Sequence, residues 1–193
     1  MAAVGADKRA GSAADSLFDP SLLRRAQAGD PDALEGVARE AWGPSFVLAR
    51  AVLGDEATAQ DVAQEAVLAA LRGLDRFDAS RPFAPWLHRI TLNRCRDQQR
   101  RAAARPLPTD AEPAAAVEAR STALPSELVA ALMSLTVEQR AAVVLKHLFG
   151  LSAVEIATSL ETTEVNARTL VHRGLNRLRE QLQEINPAEE ASA

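Results

Sequence analysis

Residues 152–178 read SAVEIATSLETTEVNARTLVHRGLNRL, and they carry two helical stripes that one straight helix cannot bury together. Ala153, Ile156, Ala157 and Leu160 recur at spacings of three and four. Leu160-Glu161-Thr162-Thr163 then interrupts the rhythm. A second stripe follows, made of Ala167, Val171, Gly174, Leu175, Leu178 and Leu182. Two short helices with separate stripes must turn onto one shared core, which is helix–turn–helix geometry. Opposite the second stripe lie Asn166, Thr169, Arg173 and Asn176, flanked by His172 and Arg177. Arg and Asn are the side chains that bond base edges bidentately in a major groove, and Arg also neutralises phosphate. This stretch alone fits two readings equally: a DNA-reading helix, or an ordinary amphipathic helix with a wet face.

The same helical grammar covers most of the chain. Asp30-Pro31 is a helix start, with Asp as N-cap and Pro at the first helical position. That helix runs toward Leu53, with a bend or break expected at Gly43-Pro44, and Gly54 stops it. A third helix spans about 55–74, with Val62, Ala66, Val67, Ala70, Leu71 and Leu74 on one stripe. Residues 72–83, RGLDRFDASRPF, read as a loop. A fourth helix starts near Pro82 and Pro85, which only a first turn tolerates, and ends in RDQQRR. Leu128, Leu132 and Leu135 form a further stripe. Thr136-Val-Glu-Gln139 and Ser152-Ala-Val-Glu155 both fit capping boxes, and Gly150 separates the helices they open. The expected fold is all-α: two small helical domains at 19–101 and 124–183, joined by a flexible linker at 102–123. The Ala/Gly/Ser-rich segment 1–18 is expected to be disordered, and 184–193 to be a tail.

Composition excludes several classes of function. A single Cys, Cys95, permits no internal disulfide and no cysteine-rich zinc site. Cys95 reads as a small buried side chain. No phosphate loop, metal-ligand spacing or nucleophile elbow occurs, so no catalytic residue, metal or cofactor is expected. No apolar run approaches the roughly 18 residues of a membrane span, and the first residues lack a secretory h-region. A cytosolic protein without membrane contact is expected. The net charge of −4 hides a segregation. Residues 30–65 hold eight acidic side chains against Arg39 and Arg50, whereas 72–105 hold nine Arg against Asp75, Asp78 and Asp97. Opposite local charge on neighbouring segments fits two different partners, or two solvated helices paired with each other.

Two blocks carry a family resemblance. GDEATAQDVAQEAVLAALRGLDRFDASRPFAPWLHRITLNRCRDQQRR (54–101) resembles region 2 of bacterial RNA polymerase sigma factors. ALMSLTVEQRAAVVLKHLFGLSAVEIATSLETTEVNARTLVHRGLNRLREQL (131–182) resembles their region 4. Two regions and a short linker are similar to the compact extracytoplasmic-function (ECF) class, and RRAQAGDPDALEGVARE (24–40) fits the first helix of that class. The resemblance implies docking on the β′ clamp helices of core RNA polymerase through Asp61, Val62, Gln64, Glu65 and Leu68, with the β flap as a further polymerase contact. It implies capture of an unstacked −10 base by the loop residues Phe77, Asp78, Ser80 and Arg81. His88, Arg89, Asn93, Arg94, Arg96 and Arg100 become the basic track for the melted strand. Thr163, Asn166, Arg168, Thr169, His172, Arg173 and Arg177 become the −35 readers of duplex DNA. Regulation by an anti-sigma factor is implied as well.

The chain departs from the pattern at the turn. The family commonly has Gly where Glu161 stands, then Thr-Val-Lys-Ser-Arg where this chain has Asn166-Ala167-Arg168-Thr169-Leu170. A left-handed Glu161 would cost about 1–2 kcal/mol. Glu164 favours the helix dipole by about 0.3–1 kcal/mol but repels nearby phosphate. Val67 and Leu71 stand where Phe and Trp are common, an apolar exchange the core tolerates. Two rival readings remain at this level: a helix–turn–helix regulator that works without polymerase, and an enzyme.

Overall fold

The computed structural model describes residues 18–104 and 126–185, and among these every regular element is helical. The order is α1 (Pro20–Gln27), α2 (Pro31–Leu53), α3 (Glu56–Gly73), a 3-10 turn (Leu74–Arg76), α4 (Phe83–Ala104), α5 (Ser126–Met133), α6 (Val137–His147), α7 (Ala153–Leu160) and α8 (Glu164–Ile185). The segments expected to be disordered, linker or tail lie largely outside the described residues.

Local chemistry sets the helix ends. Asp30 accepts from the amides of Asp32 and Ala33, which opens α2 behind Pro31. Gly54 closes α2 in the left-handed region at φ 79°. Both capping boxes form, Thr136 with Gln139 and Ser152 with Glu155. The expected break at Gly43-Pro44 is absent, and α2 runs through it. Pro44 removes one backbone bond, but Ala41, Phe46, Leu48 and Val52 on both sides are buried in the same core. Packing on a shared surface outweighs the roughly 3 kcal/mol that an interior proline costs.

Helices α2, α3 and α4 pack against one another, with α1 laid on α2. Phe18 belongs to this core rather than to a disordered N-terminus: its ring meets Phe83 edge-on at 4.6 Å. Phe77, Phe83 and Trp86 complete an aromatic cluster, with ring centroids 4.9–5.3 Å apart. In the second unit α8 packs on α6 and α7. Leu145, Leu151, Ile156 and Ala167 are fully enclosed there. Val129, Leu132 and Leu135 are buried, while Leu128, expected on that stripe, is 39% exposed. Gly174 lets α8 approach α6: a Cβ there would lie 2.6 Å from Val143 Cγ2.

The two units also pack on each other, α7 against α4 and α2 against α5 and α6. A Cβ on Gly54 would lie 2.7 Å from Met133 Sδ, so the end of α2 and the end of α5 meet at a bare backbone. Arg140 of α6 is buried at this junction. It donates to the carbonyls of Leu132 (2.8 Å) and Leu135 (3.0 Å) in its own unit and to Val52 in the other. One guanidinium, with five donors in a rigid fork, satisfies helix-end carbonyls from both sides.

Candidate functional site

The turn between α7 and α8 is a Schellman motif. Thr162 N–H donates to Ala157 O at 2.9 Å and Glu161 N–H to Thr158 O at 3.4 Å. Glu161 is left-handed, φ 56° and ψ 47°, and is the sole non-glycine with positive φ among the described residues. Glycine would sit there without strain, whereas Glu carries the cost of a Cβ near the following carbonyl. Its carboxylate lies 3.8 Å from Arg89 Nη1 on α4. Both side chains are about half exposed, so this pair stabilises by no more than about 1 kcal/mol.

On α8 the predicted readers divide by face. Thr163 acts as a cap, accepting from the Asn166 amide at 3.2 Å, and Asn166 donates to the Thr162 hydroxyl at 2.9 Å. Arg168 pairs with Glu164, and Thr169 donates to Val165 O at 2.9 Å. Arg168 and His172 border a groove of about 470 Å³ floored by Ile156, Ala167 and Val171. Arg173 and Arg177 border a second hollow of about 460 Å³ against the α5–α6 turn. Arg177 reaches Glu180 at 3.4 Å. Both flanks are cationic, and Asn176 on the wet face receives Arg179 at 3.1 Å.

On α3, Asp61, Gln64, Glu65 and Leu68 are exposed and share one face, with Leu68 43% exposed at its centre. Glu65 has a distant ion pair with Arg101 at 3.8 Å. Val62 does not join them. It is 3% exposed, because it lies on the opposite stripe that packs into the α2–α3 core.

The loop after α3 is ordered by its own side chains. Asp78 accepts from Ser80 N at 3.0 Å and Ser80 Oγ at 2.6 Å, and Arg81 lies 3.4 Å away. The Ser80 bonds, and Arg81 beside them, hold the Asp78 carboxyl below the ordinary carboxylate range. Phe77 is buried rather than available for a flipped base, because its ring fills the aromatic cluster under the loop. Gln27 of α1 clamps the loop from below, donating to Leu74 O at 2.9 Å and Phe77 O at 2.7 Å. Nothing in the sequence singles out Gln27, which lies 50 residues from Phe77.

Along α4 the polar track is narrower than its residue list. Arg89, Asn93, Arg96 and Arg100 recur at spacings of four, three and four, and so share a face. Asn93 accepts from Arg96 at 2.8 Å, and Asp97 pairs with Arg100 and lies 3.8 Å from Arg94. Arg94 points off that face. His88 is not on the track at all: it is fully enclosed, its ring 4.6 Å from that of Phe149 at the end of α6. Burial pulls its pKa down to about 3. Cys95 is enclosed too, and burial pushes its thiol up to about 12, so it is an inert packing residue.

Two small helical units, one presenting a helix–turn–helix with cationic flanks and the other an acidic and a basic helix face, have the architecture of a helix–turn–helix DNA-binding protein. Residues 46–105 match the Sigma-70 region 2 family and residues 126–178 match Sigma-70 region 4. ECF RNA polymerase sigma factor SigM of Mycobacterium tuberculosis is 36% identical over 163 residues, covering 83% of this chain and 82% of that protein. SigW of Bacillus subtilis is 29% identical over 179 residues, covering 84% of this chain and 96% of that protein. The solved structure of CnrH in complex with the cytosolic domain of CnrY shares the fold with a TM-score of 0.66 at 25% identity, covering 86% of this chain. The chain belongs to the ECF RNA polymerase sigma factors, the non-enzymatic proteins that serve transcription initiation.

Proposed function

We propose that α3 docks this chain on core RNA polymerase, at the β′ clamp helices, through Asp61, Gln64, Glu65 and Leu68. An exposed acidic face with one apolar side chain at its centre suits a basic helical partner. That face carries the reading: Asp61 has no ion pair among the described residues, and Glu65 has only the long one to Arg101 at 3.8 Å. The β flap then takes region 4. α8 reads −35 duplex DNA with Asn166, Arg168, Thr169, His172, Arg173 and Arg177, while Thr163 caps the helix. The loop 77–82 and the Arg89–Asn93–Arg96–Arg100 face hold the melted −10 strand, with Arg94 at its margin. Asp78, Ser80 and Arg81 offer the hydrogen-bonding groups. An anti-sigma factor is the regulator this reading expects, acting on a protein that works in the cytosol. The CnrH–CnrY complex supports that expectation by analogy.

Co-elution with purified core polymerase tests the docking face. The double change Asp61→Lys with Glu65→Lys is expected to abolish co-elution while region 4 keeps its helical signal. Retained binding would reject this surface. Run-off transcription from a genomic library with the reconstituted holoenzyme tests the whole reading, and specific start sites are the expected result.

A further inference from the structure

Gln27 is the last residue of α1, and its half-buried carboxamide reaches far along the chain. Nε2 donates one proton to the Leu74 carbonyl at 2.9 Å and the other to the Phe77 carbonyl at 2.7 Å. One planar group thus spans the whole 3-10 turn, from Leu74 to the residue that caps it. Phe77 N–H closes the same turn from the backbone side, donating to Leu74 O at 3.1 Å. The Phe77 carbonyl belongs to the rigid peptide unit that leads into Asp78, so Gln27 fixes the plane from which the loop departs. α1 is itself anchored: Leu23 and Ala26 are buried, and Phe18 ahead of it meets Phe83 edge-on at 4.6 Å. Beyond Phe77, residues 78–82 are exposed. Their hydrogen bonds among the described residues are internal, Ser80 to the Asp78 carboxylate and Arg81 N–H to the Asp78 carbonyl at 3.0 Å. Those bonds shape the tip of the loop but attach it to no helix. The attachment is at the stem, where the Phe77 ring lies in the aromatic cluster and Gln27 holds the backbone.

We propose that Gln27 is a positioning residue for base selection in the −10 element. It acts through the loop, not through contact with the base. Its two bonds hold the stem so that Asp78, Ser80 and Arg81 stand in one arrangement before a base arrives. Donors and acceptors already in place discriminate between bases, whereas a loose loop reshapes itself around any of them. Ordering a glutamine costs rotamer freedom, which two aligned bonds to fixed carbonyls offset. The inference rests on the reading of loop 77–82 as the pocket for the unstacked base.

The test uses holoenzyme reconstituted from the full chain and a single-stranded DNA pool randomised at its central positions. Bound strands are sequenced, and base preference is read position by position. Asp78→Ala with Ser80→Ala is expected to flatten the preference at the position the loop takes, which marks that position. Gln27→Met keeps the length of the side chain without its donors. It should reduce the preference at the marked position about tenfold, with other positions and core-polymerase affinity unchanged. Gln27→Glu offers the two carbonyls only acceptors and should do the same, which covers the case that Gln27→Met folds poorly. Gln27→Lys returns donors to the site and should restore the preference. A loss spread evenly over all positions, or one that Gln27→Lys leaves unrepaired, would overturn the positioning role, because a merely structural residue behaves that way. Preference kept in both Gln27→Met and Gln27→Glu, while the loop variant loses it, would also overturn the role and leave the base pocket standing. A wild-type holoenzyme without preference, or a loop variant that keeps it, removes the pocket and the role of Gln27 together.

Discussion

Arg140 on α6 donates through Nη1 to the carbonyl of Val52, near the end of α2 and 88 positions earlier in the chain. The same guanidinium closes the end of α5 through Leu132 and Leu135. A single side chain thus completes one unit and ties it to the other.

Replacing it should therefore be severe. Arg140→Met is expected to destabilise the chain by about 2–4 kcal/mol, because several enclosed carbonyls lose a charged donor at once. Urea unfolding followed by far-ultraviolet dichroism would read this as a lower midpoint. A change within about 0.5 kcal/mol would mean that water or neighbouring amides take over those carbonyls.

His88 makes stability sensitive to mild acid. Its folded pKa is about 3 against 6.5 when unfolded, so the unfolded chain binds the proton that the folded chain refuses. Stability is full above pH 6.5 and declines as pH falls below it, by up to about 1.4 kcal/mol per unit. Neither ring nitrogen has a hydrogen-bond partner among the described residues to hold that proton. The capping carboxylates Asp19, Asp30 and Asp55 have pKa values below 3.8, so they lose their contribution only in stronger acid. His88→Leu should raise stability at neutral pH and flatten the profile between about pH 6.5 and 4. Parallel profiles for the two proteins would contradict this.

Two glycine changes should act with opposite signs. Gly174→Ala forces a methyl to 2.6 Å from Val143 Cγ2, and is expected to cost about 1–3 kcal/mol despite alanine's better helix propensity. Gly43→Ala meets nothing within 4 Å inside α2 and should stabilise by about 0.5–1 kcal/mol. Thermal melting of both proteins decides it, and equal signs would refute the close approach of α8 to α6.

Arg173 is exposed and bonds no side chain among the described residues. Arg173→Ala should weaken duplex binding and reduce the slope of log affinity against log salt by about one. A titration between 50 and 300 mM salt that leaves the slope unchanged would remove Arg173 from the phosphate contacts.

Much of the fold was legible without coordinates. The caps at Asp30, Thr136 and Ser152 and the stops at Gly54 and Gly150 are where the residue types require them, and the turn at Glu161 is where the apolar rhythm breaks. These signals act within a few residues, so sequence spacing contains the whole interaction. The exposed acidic residues on α3 were legible for the same reason. Val62 was placed among them by the family resemblance alone, although its own stripe with Ala66 and Ala70 already marked the core side of α3.

What the residues alone determined is the inventory of helices, their ends and their polar faces, since those depend on backbone bonds and periodicity a few positions apart. Only the tertiary structure decided which faces stay wet. Phe18, Phe77 and His88 are enclosed, Gln27 reaches the loop after α3, and α7 lies on α4. Those outcomes join groups tens of residues apart, where shape complementarity and desolvation choose the partner and no local pattern encodes it.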